Sequence, residues 1–218
     1  MTGVQTCALP IYILSFNPDA DFFEVRNTIH DQKFAVSEAQ FDEKWENTEI
    51  KLLFSGSLIK RKGIDYLQEA YLELITEDTK LRETSRLNIL GAGDDKIIDN
   101  PSINHPGYIE SDEYSDYVKN FHIFVLPSLY DCNPLTAIEA VFGGIVLLLS
   151  DGVCNYPELL HGNGLLFKAG DKEDLKIKLK ELLSTKRDVL KTMAENSLKV
   201  SKVFKTSNNA ANFVKAVV

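Results

Sequence analysis

The chain has 218 residues, 44% hydrophobic and 26% charged, a composition that suits one large globular domain, or one and a half small ones, and that can bury a sizeable core. A formal charge of -8 and a pI near 5.1 exclude a nucleic-acid surface, which needs a basic face, and no apolar run approaches the roughly 18 residues of a membrane helix. The three cysteines, Cys7, Cys132 and Cys154, are odd in number and lack metal-ligand spacing, which fits a reducing, cytoplasmic setting.

In chain order, residues 1–11 are set apart from the fold. Thr2 to Ile11 resembles the conceptual translation of a short sequencing adapter, which implies that native sequence starts at Tyr12 and continued upstream of it. Between residues 12 and 48, Phe22, Phe23, Phe34, Phe41 and Trp45 are too many large apolar side chains for a free linker. They predict an interdomain segment, a remnant of a preceding domain, that packs on something.

From residue 49 onward, short apolar strands alternate with amphipathic helices. Strands are expected at Ile50 to Ser55, Leu87 to Leu90, Ile103 to Ile109, His122 to Leu126, Ile145 to Leu149 and Gly164 to Phe167. Helices are expected from Ile64, over Asp112 to Asn120, from Pro134, over Tyr156 to Leu160, over Asp171 to Leu183 with Asp171 as cap, over Arg187 to Val203, and over Ser207 to Val217. Such alternation predicts parallel βαβ units with helices on both faces, hence an α/β, doubly wound, Rossmann-like domain over 49–218.

The chain is organised around Tyr130 to Ala140, where the strand ending at Leu126 leads through a polar loop into a helix. Asn133 is expected as N-cap and Pro134 as first helical residue, leaving the amides of Leu135 and Thr136 free at the positive end of the helix dipole. That is an anion site, and in open parallel sheets such sites lie at the carboxyl ends of strands, where ligands bind. Asp131 and Glu139 flank it, and carboxylates accept hydrogen bonds from sugar hydroxyls. Taken alone, the stretch also fits a loop acid followed by a solvated helix acid.

Four motifs in order carry a resemblance to the carboxyl-terminal domain of retaining GT-B glycosyltransferases of family 4. They are Phe54 to Gly63, with its Lys60-Arg61-Lys62 run; Leu90 to Asp94; Val125 to Asp131 continuing to Glu139-Ala140, two acids with seven residues between; and Ser150 to Glu158 with Asn163-Gly164. The resemblance implies that Glu139 meets the nucleotide's ribose hydroxyls, that Asp131 meets the donor sugar, and that Lys62 meets the diphosphate and stabilises the leaving group. Lys62 and Asp131 are thus the catalytic candidates. Gly56, Ser57, Lys62, Gly91, Gly93, Tyr108, Asp131, Asn133, Leu135, Thr136 and Glu139 form the donor-binding set. Two positions depart from the family pattern: Asp131 stands where Glu is commoner, and Ser57 where an Arg often serves as second phosphate ligand, a role left to Lys60, Arg61 or the helix amides.

The implied donor is a UDP-, GDP- or ADP-sugar, and the implied acceptor is a glycan or lipid, with peripheral membrane contact through the lost half. No metal and no cofactor beyond the nucleotide sugar are expected. Gly91-Ala92-Gly93 lacks the third glycine of a dinucleotide fingerprint, Lys96 standing in its place, and is expected to turn tightly where a ligand or another domain approaches. The competing readings are a nucleotide-sugar epimerase, which would need an acid and His constellation, and a phosphoacceptor-type regulatory module, which would need an acid at the end of the first strand, where Phe54-Ser55-Gly56 offers none.

Overall fold

The computed structural model describes residues 29–210. In chain order these form α1 (Asp31–Phe34), α2 (Glu38–Glu46), β1 (Ile50–Ser55), α3 (Ile64–Glu77), α4 (Thr79–Thr84), β2 (Ser85–Leu90), β3 (Ile103–Gly107), α5 (Ser111–Val118), β4 (Ile123–Leu126), α6 (Leu135–Phe142), β5 (Val146–Ser150), α7 (Tyr156–Leu159), β6 (Gly164–Phe167), α8 (Lys172–Leu183) and α9 (Arg187–Ser201). The six strands make one parallel sheet in the order β3-β2-β1-β4-β5-β6. This is the doubly wound Rossmann-like arrangement expected from the alternation. Its topological switch point lies between β1 and β4, where a ligand crevice is expected at the carboxyl ends of the strands.

Burial explains why the strand sequences look as they do. The inner strands β1, β2, β4 and β5 are buried at nearly every position, whereas the edge strands β3 and β6 are only partly covered. A strand covered on both faces has no polar side to show, so it reads as a continuous apolar run. Edge strand β3 ends at Gly107, two residues short of the expected Ile109. Pro106 has no N–H to donate to the ladder, and the register with β2 shifts between Asn88 and Leu90.

Several helix boundaries differ from expectation, α5 among them, which runs Ser111–Val118 rather than Asp112 to Asn120. The short helix α4 was not anticipated, and it starts because the Asp78 carboxylate accepts from the amides of Lys80 and Leu81. Helix α9 stops at Ser201 and tightens into a 3-10 turn over Lys202–Phe204. A further helix opens at residue 206, and the rest of the segment up to Val217 lies outside the described residues. Residues 1–11 and the aromatics Phe22 and Phe23 also lie outside them.

Phe34, Phe41 and Trp45 from α1 and α2 are buried in the same core as the sheet. Helix α2 opens with a capping box between Ser37 and Gln40, and its far end is fastened to the sheet by His122. The His122 Nδ1 accepts from the Lys51 amide at 3.0 Å, so its proton sits on Nε2, which donates to the Lys44 carbonyl at 3.0 Å. The Trp45 ring stands edge-on to the imidazole, 5.0 Å between centroids. Burial above all holds the His122 pKa down at about 3, the hydrogen bond to the Lys44 carbonyl opposing it and the Lys44 charge adding to it. Lys44 is itself buried, and its ammonium donates to the Gly143 and Gly144 carbonyls at 2.9 and 3.0 Å, at the carboxyl end of α6.

Candidate functional site

Two glycines bring the loops at the carboxyl edge of the sheet together. Gly63 has φ of 67°, and a Cβ there would lie 2.2 Å from the Pro127 carbonyl oxygen, so only glycine lets the β1 loop lie against the end of β4. Gly91 has φ of 139°, and a Cβ would lie 1.8 Å from the Gly56 carbonyl oxygen. The close approach expected at Gly91-Ala92-Gly93 is therefore made by the chain's own β1 loop. The Leu58 amide donates to the Ala92 carbonyl at 2.9 Å, and Leu58 pairs with Gly93 in a parallel bridge.

Between these loops lies a cleft of about 480 Å³, lined by Ser55, Gly56, Ser57, Leu90, Gly91, Ala92, Tyr108, Ile109, Tyr114, Thr136 and Glu139. Its size is that of a small-molecule site, and it sits at the β1/β4 switch point. Of the sequence-derived candidates, Gly56, Ser57, Gly91, Tyr108, Thr136 and Glu139 meet here. Tyr108 is 68% exposed at the rim, an unusual degree of exposure for an aromatic side chain.

Glu139 forms the polar floor. Its Oε2 is buried without a hydrogen-bond partner, and burial raises its carboxyl pKa to about 7, with the Tyr114 hydroxyl pulling the other way. Tyr114 comes from α5 and donates to Ser55 Oγ at 2.8 Å. Burial and the Glu139 charge both push the Tyr114 phenol pKa well above its ordinary range, so it stays a hydroxyl. Sequence reading missed Tyr114 and Ser55. An aromatic on an amphipathic helix looks like core, and only the fold reveals that its hydroxyl faces Glu139.

Lys62 and Asp131 come together beside the cleft. The Lys62 ammonium makes an ion pair with Asp131 Oδ2, each side chain 12% exposed. It also lies 3.9 Å from where a Cβ on Gly56 would stand, so it roofs the β1 loop. Lys62 belongs to a single 3-10 turn, Lys60–Lys62, closed by the Gly63 amide on the Lys60 carbonyl. Arg61 donates to the Tyr130 carbonyl at 2.6 Å and accepts from the Leu129 amide at 2.8 Å, so it ties the basic loop to the acidic one. Ser57 is exposed, as are Lys60 and Arg61 of this turn, whereas Lys62 is half-buried.

The expected Asn133 cap is not formed. Pro134 occupies the N-cap position of α6 with no side-chain cap, and Asn133 Oδ1 instead accepts from Asn155 Nδ2 at 2.8 Å. The extended backbone at Pro134, with ψ of 114°, starts the helix one residue later than expected. The Leu135 and Thr136 amides remain in the first turn, where they have no intrahelical acceptor. Leu135 is 44% exposed and lies outside the cleft lining. Among the described residues, no three His, Cys, Asp or Glu side chains are grouped to hold a metal ion, and no helix is long and apolar enough to cross a membrane.

Residues 49–185 match the family described as glycosyl transferases group 1. The chain belongs to that family. The placement agrees with solved structures of similar fold. The C-terminal domain of a group 1 family glycosyl transferase, LpcC, from Francisella tularensis superposes with a TM-score of 0.66 at 17% identity, covering 80% of this chain and 97% of that one. Sucrose-phosphate synthase from Thermosynechococcus elongatus gives 0.74 at 18% identity over 96% of this chain and 55% of its own. TarM from S. aureus, solved in complex with UDP among other ligands, gives 0.73 at 16% identity over 95% of this chain and 42% of its own. This group 1 glycosyltransferase chain thus spans about half the length of the longer neighbours and nearly all of an isolated C-terminal domain, and its fold is that of a GT-B C-terminal domain. No curated protein matches its sequence.

Proposed function

We propose that the chain is the donor-binding half of a retaining, metal-independent, family 4 hexosyltransferase, taking a UDP-, GDP- or ADP-sugar as donor and a glycan or lipid as acceptor. In this proposal residues 49–218 are the donor domain, residues 12–48 link it to an acceptor domain, residues 1–11 are adapter-derived, and the enzyme works in the cytoplasm. Any contact with a membrane surface is made by the acceptor domain. The observation that carries the proposal is the unpartnered, buried Glu139 Oε2 on the floor of the cleft. A buried carboxylate oxygen without a donor is costly, and vicinal ribose hydroxyls supply two donors at the required spacing.

The remaining roles follow from position. The nucleoside lies between the Gly91 loop and Tyr108, its ribose on Glu139. The diphosphate runs toward the first-turn amides of α6 and Lys62, where positive potential balances its charge. Lys62 then stabilises the charge that develops on the departing diphosphate, while Asp131, released from its ion pair, accepts hydroxyls of the transferred sugar. The Gly56 and Ser57 backbone walls the phosphate path. Asn133 holds the loop through Asn155, and Leu135 contributes its amide rather than its side chain.

Calorimetric titration of the chain with UDP, GDP and ADP tests this. Binding of one of them is expected, with Glu139→Ala and Lys62→Ala each weakening it about tenfold, or roughly 1.4 kcal/mol. Absence of binding by the wild-type chain at roughly 5 mM of all three, weaker than any ordinary substrate affinity, would sink the proposal.

A further inference from the structure

Two of the three cysteines sit on either side of Asp131, in a part of the site that no proposed step uses. Asp131 pairs with Val153 in a parallel bridge, its amide donating to the Gly152 carbonyl and its carbonyl accepting from the Cys154 amide, both at 2.8 Å. The next residues in register are Cys132 and Cys154. Neighbouring positions on paired parallel strands have Cα atoms about 5 Å apart, inside the range a disulfide spans. Both thiols are free, Cys132 exposed and Cys154 buried. Cys132 Sγ donates to the Tyr130 hydroxyl at 2.9 Å, and Cys132 is also the neighbour whose thiol contact and charge add to burial in raising the Cys154 pKa. The two loops also lie close together here, since a Cβ on Gly152 would lie 2.5 Å from the Ser128 and Leu129 carbonyl oxygens.

We infer that Cys132 and Cys154 form a reversible disulfide, made by exchange with a low-molecular-weight disulfide such as oxidised glutathione, which crosslinks the loop bearing Asp131 to the loop after β5. In the first step the exposed Cys132 thiolate attacks one glutathione sulfur. A protein–glutathione mixed disulfide forms, and one glutathione thiolate leaves. In the second, Cys154 gives its proton to solvent and attacks Cys132 Sγ, expelling the second glutathione. Two protein thiols are oxidised and one oxidised glutathione becomes two reduced molecules. Because burial holds the Cys154 proton, the second step limits the rate and quickens as pH rises.

The test uses the whole chain carrying Cys7→Ser, which removes the third thiol. The protein is incubated with oxidised glutathione, alkylated under denaturing conditions and read by peptide mass. The expected product links the Cys132 and Cys154 peptides, is reversed by dithiothreitol, and raises the unfolding midpoint by about 5 °C, since the bond closes a loop containing α6 and β5. Cys154→Ser should stop at the Cys132–glutathione adduct, and Cys132→Ser should form neither species. Recovery of both cysteines alkylated, or of a stable Cys132 adduct in the presence of Cys154, overturns the inference. The mass readout needs no nucleotide, so failure of donor binding leaves it standing.

Discussion

Lys62 and Asp131, 69 residues apart in sequence, are joined in one ion pair at the edge of the cleft. The resemblance assigns them to different parts of a donor, diphosphate and sugar, yet in the structure they neutralise each other. A diphosphate that draws on Lys62 must therefore compete with Asp131. Replacing Asp131 by Asn removes the competitor and one negative charge while keeping the shape. The chain carrying Asp131→Asn is expected to bind nucleoside diphosphate about three- to tenfold more tightly than wild type, and Lys62→Ala about tenfold less tightly. Calorimetry on the two variants checks both directions. Weaker binding by Asp131→Asn would show that Asp131 holds Lys62 in place more than it competes for it.

Donor binding is expected to release protons near neutral pH. The Glu139 carboxyl has its pKa raised to about 7 by burial, and hydroxyl donors from a ribose favour its ionised form. Binding should therefore lower that pKa and expel a fraction of a proton at about pH 6.5, and affinity should rise between about pH 6 and about pH 8. Titrations in two buffers of different ionisation enthalpy give the proton count directly. In Glu139→Gln the count should fall to near zero, because that side chain has no proton to lose.

The Gly91 position should tolerate no side chain. An alanine Cβ would meet the Gly56 carbonyl oxygen at 1.8 Å, with the backbone at φ of 139°. Relief requires the β1 and β2 loops to separate, which opens the cleft as well as straining the fold. Gly91→Ala is expected to cost roughly 3 kcal/mol or more, read as a lower urea midpoint, and to abolish nucleotide binding even where the chain stays folded.

Much of this architecture is legible in the sequence because the physics that sets it is local. An inner strand such as Val146–Ser150 must be apolar at almost every position, and Asp171 caps α8 through the Asp174 amide three residues away. The two acids at 131 and 139 stand out by spacing and by their place at a strand-to-helix turn. What is not legible depends on distant partners. Tyr114 acquires its role from Ser55, 59 residues away, and from Glu139. Asn133 has good capping chemistry, but the Asn155 amide takes its oxygen. Lys44 sits on α2 like any surface cation, and only tertiary packing turns it inward onto the carboxyl end of α6.

That same packing predicts how stability follows pH. His122 has a folded pKa held down at about 3, against an ordinary value of 6.5, so between these values the unfolded chain binds more protons. Its contribution is fully present above about pH 6.5 and is lost as pH falls toward 3. Burial lowers Lys44 from 10.5 to about 7, and the sign is the same: stability rises as pH climbs from about 7 toward 10.5, because the folded state sheds a proton that the unfolded state keeps. Glu139 runs the opposite way, its raised pKa favouring the folded state below 4.5 and losing that benefit as pH rises through about 7. Urea midpoints measured across pH should therefore climb from acid to alkaline conditions with a flattened stretch between about 4.5 and 7. Glu139→Gln should steepen that stretch, and Lys44→Met should remove the rise above pH 7. Lys44→Met should also lower stability at alkaline pH by roughly 1–3 kcal/mol, since the Gly143 and Gly144 carbonyls lose their donor.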